Sequence, residues 1–117
     1  MGSLKNLKVL RLNKNFLNGK IPEEIGSLTK LQVSSLHENN LSDGIPSSIL
    51  YLKELEVLDL SYNVLSTEIP TDIGNLSNII FLELSISLLI GGIPSSMHQL
   101  SKLETLFSGR SSIAKGE

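Results

Sequence analysis

A period of 24 residues runs through the chain and constrains its fold more than any other feature. Large aliphatic residues recur in phase at one position of every period: Leu4, Leu28, Leu52, Leu76 and Leu100. A second series follows three residues later: Leu7, Leu31, Leu55, Ile79 and Leu103. The prolines continue the pattern, each behind an isoleucine: Pro22, Pro46, Pro70 and Pro94. Such a repeat indicates one structural unit that buries its apolar side by stacking on its neighbours, and hence a solenoid.

The phase of the repeat divides the chain into units of equal length. Four units are complete and a fifth is partial: 4–27, 28–51, 52–75, 76–99 and 100–107. We therefore assign residues 1–107 to the repeats and residues 108–117 to a polar tail that we expect to fray. Terminal units of a solenoid expose apolar side chains unless a cap covers them, and the repeats begin directly at Leu4. We therefore expect a fragment of a longer protein or the product of a truncated gene.

Each unit carries the signals of a short strand followed by a turn. In Leu10-Arg11-Leu12 two leucines alternate with a charged residue, which is the two-residue period of a strand. An asparagine three residues after the second leucine can satisfy backbone groups of the turn with its amide. Stacked units would align these side chains as a structural ladder: Asn15, Asn39 and Asn63. The Ile-Pro pair then favours an extended segment, because proline fixes φ and restricts the residue before it.

The repeated unit resembles the plant-type extracellular leucine-rich repeat. The first unit matches the pattern Leu-x-x-Leu-x-x-Leu-x-Leu-x-x-Asn-x-Leu-x-Gly-x-Ile-Pro-x-x-Ile-Gly at nearly every position, and the resemblance spans 4–99. It implies an α/β solenoid with a parallel β-sheet on the concave face and 3-10 or irregular segments on the convex side. It also implies a non-catalytic segment of a receptor-like kinase or receptor-like protein ectodomain, which binds a peptide or protein ligand or a co-receptor. The presumed parent protein would lie on the extracellular face of the plasma membrane.

Two other interpretations stay open on the sequence alone. The same type of repeat builds secreted inhibitors of cell-wall-degrading enzymes, of the polygalacturonase-inhibitor type. A truncated product without a function of its own is the third possibility. A downstream membrane span and kinase would favour the receptor, whereas a stop after a cysteine-bearing cap would favour the inhibitor.

Residues that alternate with the core leucines would line the concave face, where proteins of this family usually bind their partners. Six of them are candidate binding residues: Arg11, Asp59, Tyr62, Phe81, Glu83 and Ile86. Aromatic side chains beside charges are typical of binding hot spots, and Asp59 and Glu83 would select a basic group. The alternative is an ordinary solvated sheet face, because β-branched and aromatic residues favour strands for their own reasons.

Composition excludes several other classes of function. The chain has no cysteine, and therefore neither a disulfide nor a thiolate zinc site. Its formal net charge of -2 is not that of a nucleic-acid binder. The two histidines, His37 and His98, should lie far apart, which disfavours a shared metal site. We expect no catalytic residue, no metal and no cofactor.

Membrane insertion by this segment is not expected either. The most apolar stretch, 79–93, is too short to span a bilayer and contains Glu83. The first residues lack the basic and apolar regions of a secretion signal, so the sequence does not fix a compartment.

Two short motifs are candidate acceptors of N-linked glycans: Asn40-Leu41-Ser42 and Asn75-Leu76-Ser77. Asn40 follows a ladder asparagine and should face outward, and Asn75 should lie in the loop between two units. Both would be available for modification if the parent protein is secreted.

One residue departs from the pattern at a core position. Ser34 stands where the other units have leucine. The substitution would leave either a hydroxyl that needs a partner or a small void.

Overall fold

The structure, a computed structural model, describes residues 4–65, 69–84, 95–108 and 111–114, with only the backbone of 105–108 and 111–114. Two sheets and a series of 3-10 turns make up this part of the chain. The larger sheet has six strands, in the order β1 (Val9–Arg11), β3 (Val33–Ser35), β5 (Val57–Asp59), β7 (Phe81–Glu83), β8 (Thr105–Ser108) and β9 (Ser111–Ala114). The smaller sheet has three, in the order β2 (Asn18–Lys20), β4 (Asn40–Asp43) and β6 (Val64–Leu65).

The six-stranded sheet follows the sequence period. Its first five strands are parallel, and each residue pairs with the residue one period further along: Val9 with Val33, Val33 with Val57, and Val57 with Phe81. The predicted parallel sheet with one strand per unit is confirmed. Short 3-10 turns return the chain from one strand to the next: Glu23–Ser27, Ser47–Tyr51, Ile73–Asn75 and Ser95–Gln99.

The three-stranded sheet has a different spacing. Asn18 pairs with Asn40 and Ser42 pairs with Val64, so its partners differ by 22 residues in number. The outward residues of β4 are polar, whereas Leu41 between them is buried. This sheet therefore closes a second side of the solenoid over the same core.

The aliphatic positions of the repeat form one continuous core. Side chains with no exposed surface include Leu28, Leu31, Leu52, Leu55, Leu58, Leu76, Ile79, Leu82 and Leu100. In the first unit, which packs against the second, Leu4 and Leu12 remain 44% and 38% exposed. Burial of the leucines therefore depends on stacking, as expected of a solenoid.

Ser34 lies inside this core and pairs with Leu10 and Leu58 in the adjacent strands. The residue is fully buried, and its Oγ has no hydrogen-bond partner among the described residues. The hydroxyl that the sequence places in the core is therefore buried without the partner it needs. A buried hydroxyl without a partner destabilises the fold relative to an apolar side chain.

The side chain of Asn39 joins the second unit to the first. Its Oδ1 accepts hydrogen bonds from the backbone N–H groups of Asn15, at 2.9 Å, and Leu17, at 3.1 Å. Its Nδ2 donates to the carbonyl oxygens of Leu12 and Leu36, each at 2.9 Å. One amide thus satisfies backbone groups on two turns.

Asn63 repeats this arrangement one unit later and in a more buried setting. It accepts a hydrogen bond from the backbone N–H of Leu41 at 3.0 Å. Its Nδ2 donates to the carbonyl oxygens of Leu36 at 3.0 Å and of Leu60 and Ser61 at 3.1 Å. Only 7% of Asn63 is exposed, so water cannot easily replace these bonds.

The 3-10 turns pack against each other through small residues. A Cβ atom at Gly26 would lie 2.5 Å from the Cβ of Ser48, so no larger residue fits there without a shift. The hydroxyl of Ser48 in turn donates to the carbonyl of Glu23 at 2.7 Å. The same pair recurs two units later, where the backbone N–H of Gly74 donates to the Oγ of Ser96 at 3.0 Å. Glycine and serine therefore connect neighbouring turns on this side.

The last described residues form a further strand. Strand β9 pairs with β8 in antiparallel orientation, with Ile113 opposite Leu106. It forms the edge of the six-stranded sheet. The sequence could not reveal this strand from the repeat, because pairing with an open sheet edge uses the backbone alone.

Candidate functional site

The outward positions of strands β1, β3, β5 and β7 form one continuous surface, which we call the sheet face. Each strand contributes two residues, of which Ser35 is buried: Val9, Arg11, Val33, Ser35, Val57, Asp59, Phe81 and Glu83. The residue between each pair points into the core, because successive side chains of a strand lie on opposite sides. Neighbouring strands lie about 4.8 Å apart, so these four strands are about 14 Å across.

The most distinctive feature of the sheet face is a pair of carboxylates. Asp59 and Glu83 are direct partners in the register of β5 and β7, and both are half-buried. Like charges placed opposite each other on neighbouring strands repel. Within the described residues neither carboxylate forms an ion pair. The two side chains therefore concentrate negative charge, and no described lysine or arginine forms an ion pair with either of them.

The residues around this pair set the charge state of Glu83. Burial and then repulsion by Asp59 raise the pKa of Glu83 above its ordinary value. The imidazole of His37 and a hydrogen bond from Ser61 lower that pKa in part. The balance leaves the ionised form of Glu83 less stable than it would be in water, and a cation placed beside it would reverse the effect.

Ser61 and His37 belong to this cluster, although they are not among the six candidate residues. The carboxylate of Asp59 accepts hydrogen bonds from the backbone N–H of Ser61, at 3.0 Å, and from its Oγ, at 2.6 Å. The spacing Asp59-x-Ser61 could have indicated this contact, since residues two apart on an extended chain lie on the same side. A similar polar contact joins β3 to the turn after β1, where Ser35 Oγ donates to Asn13 Oδ1 at 2.7 Å.

The charge of the sheet face changes sign across the strands. Arg11 is exposed on β1, two strands away from Asp59, so the two side chains do not meet. Beside Arg11, the Nζ of Lys14 lies 3.8 Å from a carboxylate oxygen of Glu38, and both side chains are at least half exposed. The surface is therefore basic at β1 and acidic at β5 and β7.

Two candidate aromatic residues lie next to the carboxylates. Phe81 is half-buried on β7, on the same side of the strand as Glu83. Tyr62 follows β5 and is 59% exposed, with a positive φ of 55°. The turn itself requires this φ, because Lys14 and Glu38 adopt it at the equivalent positions. Ile86, the last candidate on this surface, lies outside the described residues.

The two candidate glycan acceptors lie away from the sheet face. Asn40 is exposed on strand β4 of the smaller sheet. Asn75 is exposed at the end of the turn Ile73–Asn75.

No metal or membrane site emerges from the described part of the chain. In that part no three His, Asp or Glu residues come together in a group that could hold a metal ion. Among the same residues, no helix is long and apolar enough to cross a membrane.

Comparisons with known proteins agree with this architecture. The family model described as Leucine Rich Repeat matches residues 6–28 and 54–76. No curated protein sequence is similar enough to the chain to count as a match. Parallel strands one period apart, a core of stacked leucines and short 3-10 turns define a leucine-rich-repeat fold.

Solved structures narrow the class further. The Arabidopsis receptor kinase HAESA, in complex with a peptide hormone and a co-receptor, is 42% identical with a TM-score of 0.85 over 91% of this chain. The leucine-rich-repeat ectodomain of the receptor kinase SOBIR1 from Arabidopsis thaliana is 37% identical, with a TM-score of 0.77 over 83% of this chain. A plant ice-binding protein is 38% identical, with a TM-score of 0.78 over 85% of this chain.

The chain has a leucine-rich-repeat fold and is similar in sequence and structure to the ectodomains of plant receptor kinases. It spans only 18% of the HAESA chain, 52% of the SOBIR1 ectodomain and 32% of the ice-binding protein. Because receptors and an ice-binding protein share the fold, the fold alone does not define what is bound. What this chain binds depends on the residues of its sheet face.

Proposed function

We propose that the chain is a non-catalytic binding module that holds an extended, basic peptide segment across its sheet face. The observation that carries the proposal is the Asp59–Glu83 pair, which is half-buried and without an ion pair among the described residues. A lysine or arginine of the ligand would supply the missing positive charge through charge-assisted hydrogen bonds. Tyr62, Phe81 and Ile86 would supply apolar contacts beside that anchor.

The size of the surface favours a peptide over a folded partner. An extended peptide advances about 3.3 Å per residue, so four to five residues cross the four strands, about 14 Å. A stable complex of two folded proteins needs about 800 Å² from each partner, which this area does not supply. Arg11 would fix the direction of the peptide. A basic residue of the peptide would lie over Glu83, and a carboxylate of the peptide could then pair with Arg11 on β1.

The receptor structures support an extracellular location for the parent protein. Ectodomains of receptor kinases are extracellular parts of plasma-membrane proteins, and HAESA was solved with a peptide hormone bound. We infer that the sheet face of this chain likewise faces the outside of the cell and acts by recognition without chemistry.

A peptide-display selection tests the proposal although the ligand is unidentified. Random peptides about eight residues long are selected on the folded chain, with the Glu83→Gln variant as a competitor in solution. We expect the enriched peptides to contain lysine or arginine. Their affinity should fall at least about tenfold, or about 1.4 kcal/mol, in the Glu83→Gln and Asp59→Asn variants. Asparagine keeps an Oδ1 that can accept the hydrogen bonds of Ser61, so the turn stays in place.

Matched controls separate the sheet face from the rest of the surface. Glu23→Gln removes an exposed carboxylate beside a 3-10 turn, and Tyr51→Ala removes a tyrosine that is 70% exposed on that side. Neither change should affect binding, whereas Tyr62→Ala should weaken it. The proposal would be refuted if the selected peptides lacked a basic residue. It would also be refuted if Glu83→Gln and Glu23→Gln lowered the affinity for these peptides equally. Inhibition of a polygalacturonase without peptide binding would favour the inhibitor interpretation instead.

A further inference from the structure

We infer that Asn40 and Asn75 are N-glycan acceptors, and that their glycans cover two sides of the solenoid while leaving the sheet face open. The inference builds on the extracellular location proposed above. Among the nine asparagines of the chain, these two lie in the sequence pattern that oligosaccharide transfer requires. The structure adds the position and the surroundings of each side chain.

The side chain of Asn40 is accessible, in contrast to that of Asn39, which lies next to it but outside the acceptor pattern. The side-chain amide of Asn39 is engaged in the ladder through hydrogen bonds to backbone groups of two units. The side-chain amide of Asn40 is exposed and makes no hydrogen bond to any described residue. Attachment of a sugar to Asn40 therefore breaks no contact of the fold.

The strand geometry places the glycan at Asn40 over the smaller sheet. Asn40 and Ser42 lie on the same outward side of β4, because they are two residues apart on an extended strand. Ser42 pairs with Lys20 on one side and Val64 on the other. Val64 is an apolar side chain that is 53% exposed. A glycan here would shield Val64 and the approach to Lys20.

Asn75 occupies a different side of the molecule. It is the exposed last residue of the turn Ile73–Asn75, and its carbonyl accepts a hydrogen bond from the backbone N–H of Ser77 at 2.9 Å. Leu76 between them is fully buried and anchors the turn. A glycan on Asn75 would project from the 3-10 side. Neither acceptor lies on strand β5 or β7, so both glycans would be compatible with a ligand on the sheet face.

The test is the intact mass of the full chain produced in plant cells behind an added secretion signal. Enzymatic removal of N-glycans should reduce the mass by two glycans. The Ser42→Ala and Ser77→Ala variants should each lose one of them, and Ser42→Thr and Ser77→Thr should lose none. A folded, secreted chain whose mass does not change on enzymatic treatment overturns the inference. A missing glycan at one position overturns it for that position.

Amine labelling tests the shielding separately. Lys20 should react more slowly in the glycosylated chain than in the Ser42→Ala variant, whereas Lys30, which is exposed after another turn, should react equally in both. Equal labelling of Lys20 in both proteins would refute the proposed coverage. Because the secretion signal is supplied, failure of either assay leaves peptide binding at Glu83 to be judged by its own test.

Discussion

Replacement of Asn63 by alanine tests the ladder most severely, because this side chain is the most buried of the three. The change removes hydrogen bonds to the backbone of Leu41, Leu36, Leu60 and Ser61. The carbonyl of Leu36 keeps its bond from Asn39, but the N–H of Leu41 and the carbonyl of Leu60 lose a partner in a buried place. Each buried group left without a partner costs about 1 to 3 kcal/mol, so we expect a loss of about 3 kcal/mol.

The three ladder residues should differ in their contribution to stability. Asn39 serves groups that are nearer to water, so Asn39→Ala should cost about 1.5 kcal/mol. Among the described residues the side-chain amide of Asn15 donates only to the carbonyl of Asn13, at an exposed site, and Asn15→Ala should cost about 0.5 kcal/mol. Asn40→Ala is the matched control, since it removes an exposed side-chain amide with no hydrogen bond to a described residue.

Urea and thermal unfolding, followed by circular dichroism on unglycosylated protein, give these free energies. For a chain of this length about 1 kcal/mol corresponds to about 4 °C, so Asn63→Ala should melt about 12 °C below the parent. The order of loss should be Asn63, then Asn39, then Asn15, with Asn40 unchanged. An Asn63→Ala variant that is as stable as Asn40→Ala would refute the stabilising role of the ladder.

Three further predictions concern single sites. Ser34→Ala should raise the free energy of unfolding by about 1 kcal/mol in urea titration, because it removes a buried hydroxyl without a partner; a loss of stability would contradict this. Gly26→Ala should lower the free energy of unfolding by about 2 kcal/mol, because the new Cβ meets Ser48. Ser27→Ala, at an exposed position, is the control and should change this free energy little. Affinity for a basic peptide should fall as the pH drops through the raised pKa of Glu83, because the peptide binds the ionised form of Glu83. Asp59→Asn removes the repulsion that helps to raise this pKa, so the loss of affinity should begin at a lower pH. An affinity that does not change with pH would contradict this prediction.

The sequence period predicts the side-chain arrangement of the six-stranded sheet. Since partners in parallel strands are one period apart, the contact between Asp59 and Glu83 follows from their spacing. The same period aligns the ladder residues Asn39 and Asn63. Side-chain chemistry repeated at a fixed spacing can therefore be located from the sequence alone.

Features that depend on the backbone cannot be located in this way. The pairs of the smaller sheet, such as Asn18 with Asn40, are 22 residues apart and break the period. Strand β9 uses the backbone of β8 and needs no repeated side chain. The anchoring of Asp59 by Ser61 is local to one unit, so no repeat indicates it. The charges of the candidate site are thus predictable from the period, whereas the contact of Asp59 with Ser61 is indicated only by the local spacing of these two residues.

Chemical footprinting of carboxylates gives the sharpest test of ligand binding at the sheet face. The chain is treated with a carbodiimide and an amine, with and without a saturating basic peptide from the selection, and the labelled residues are identified by mass spectrometry. We expect the peptide to protect Asp59 and Glu83, while the exposed Glu23 and Glu24 label as before. Protection of Glu23 and Glu24 with unchanged labelling of Asp59 and Glu83 would show that the ligand binds elsewhere, and would contradict recognition by the sheet face.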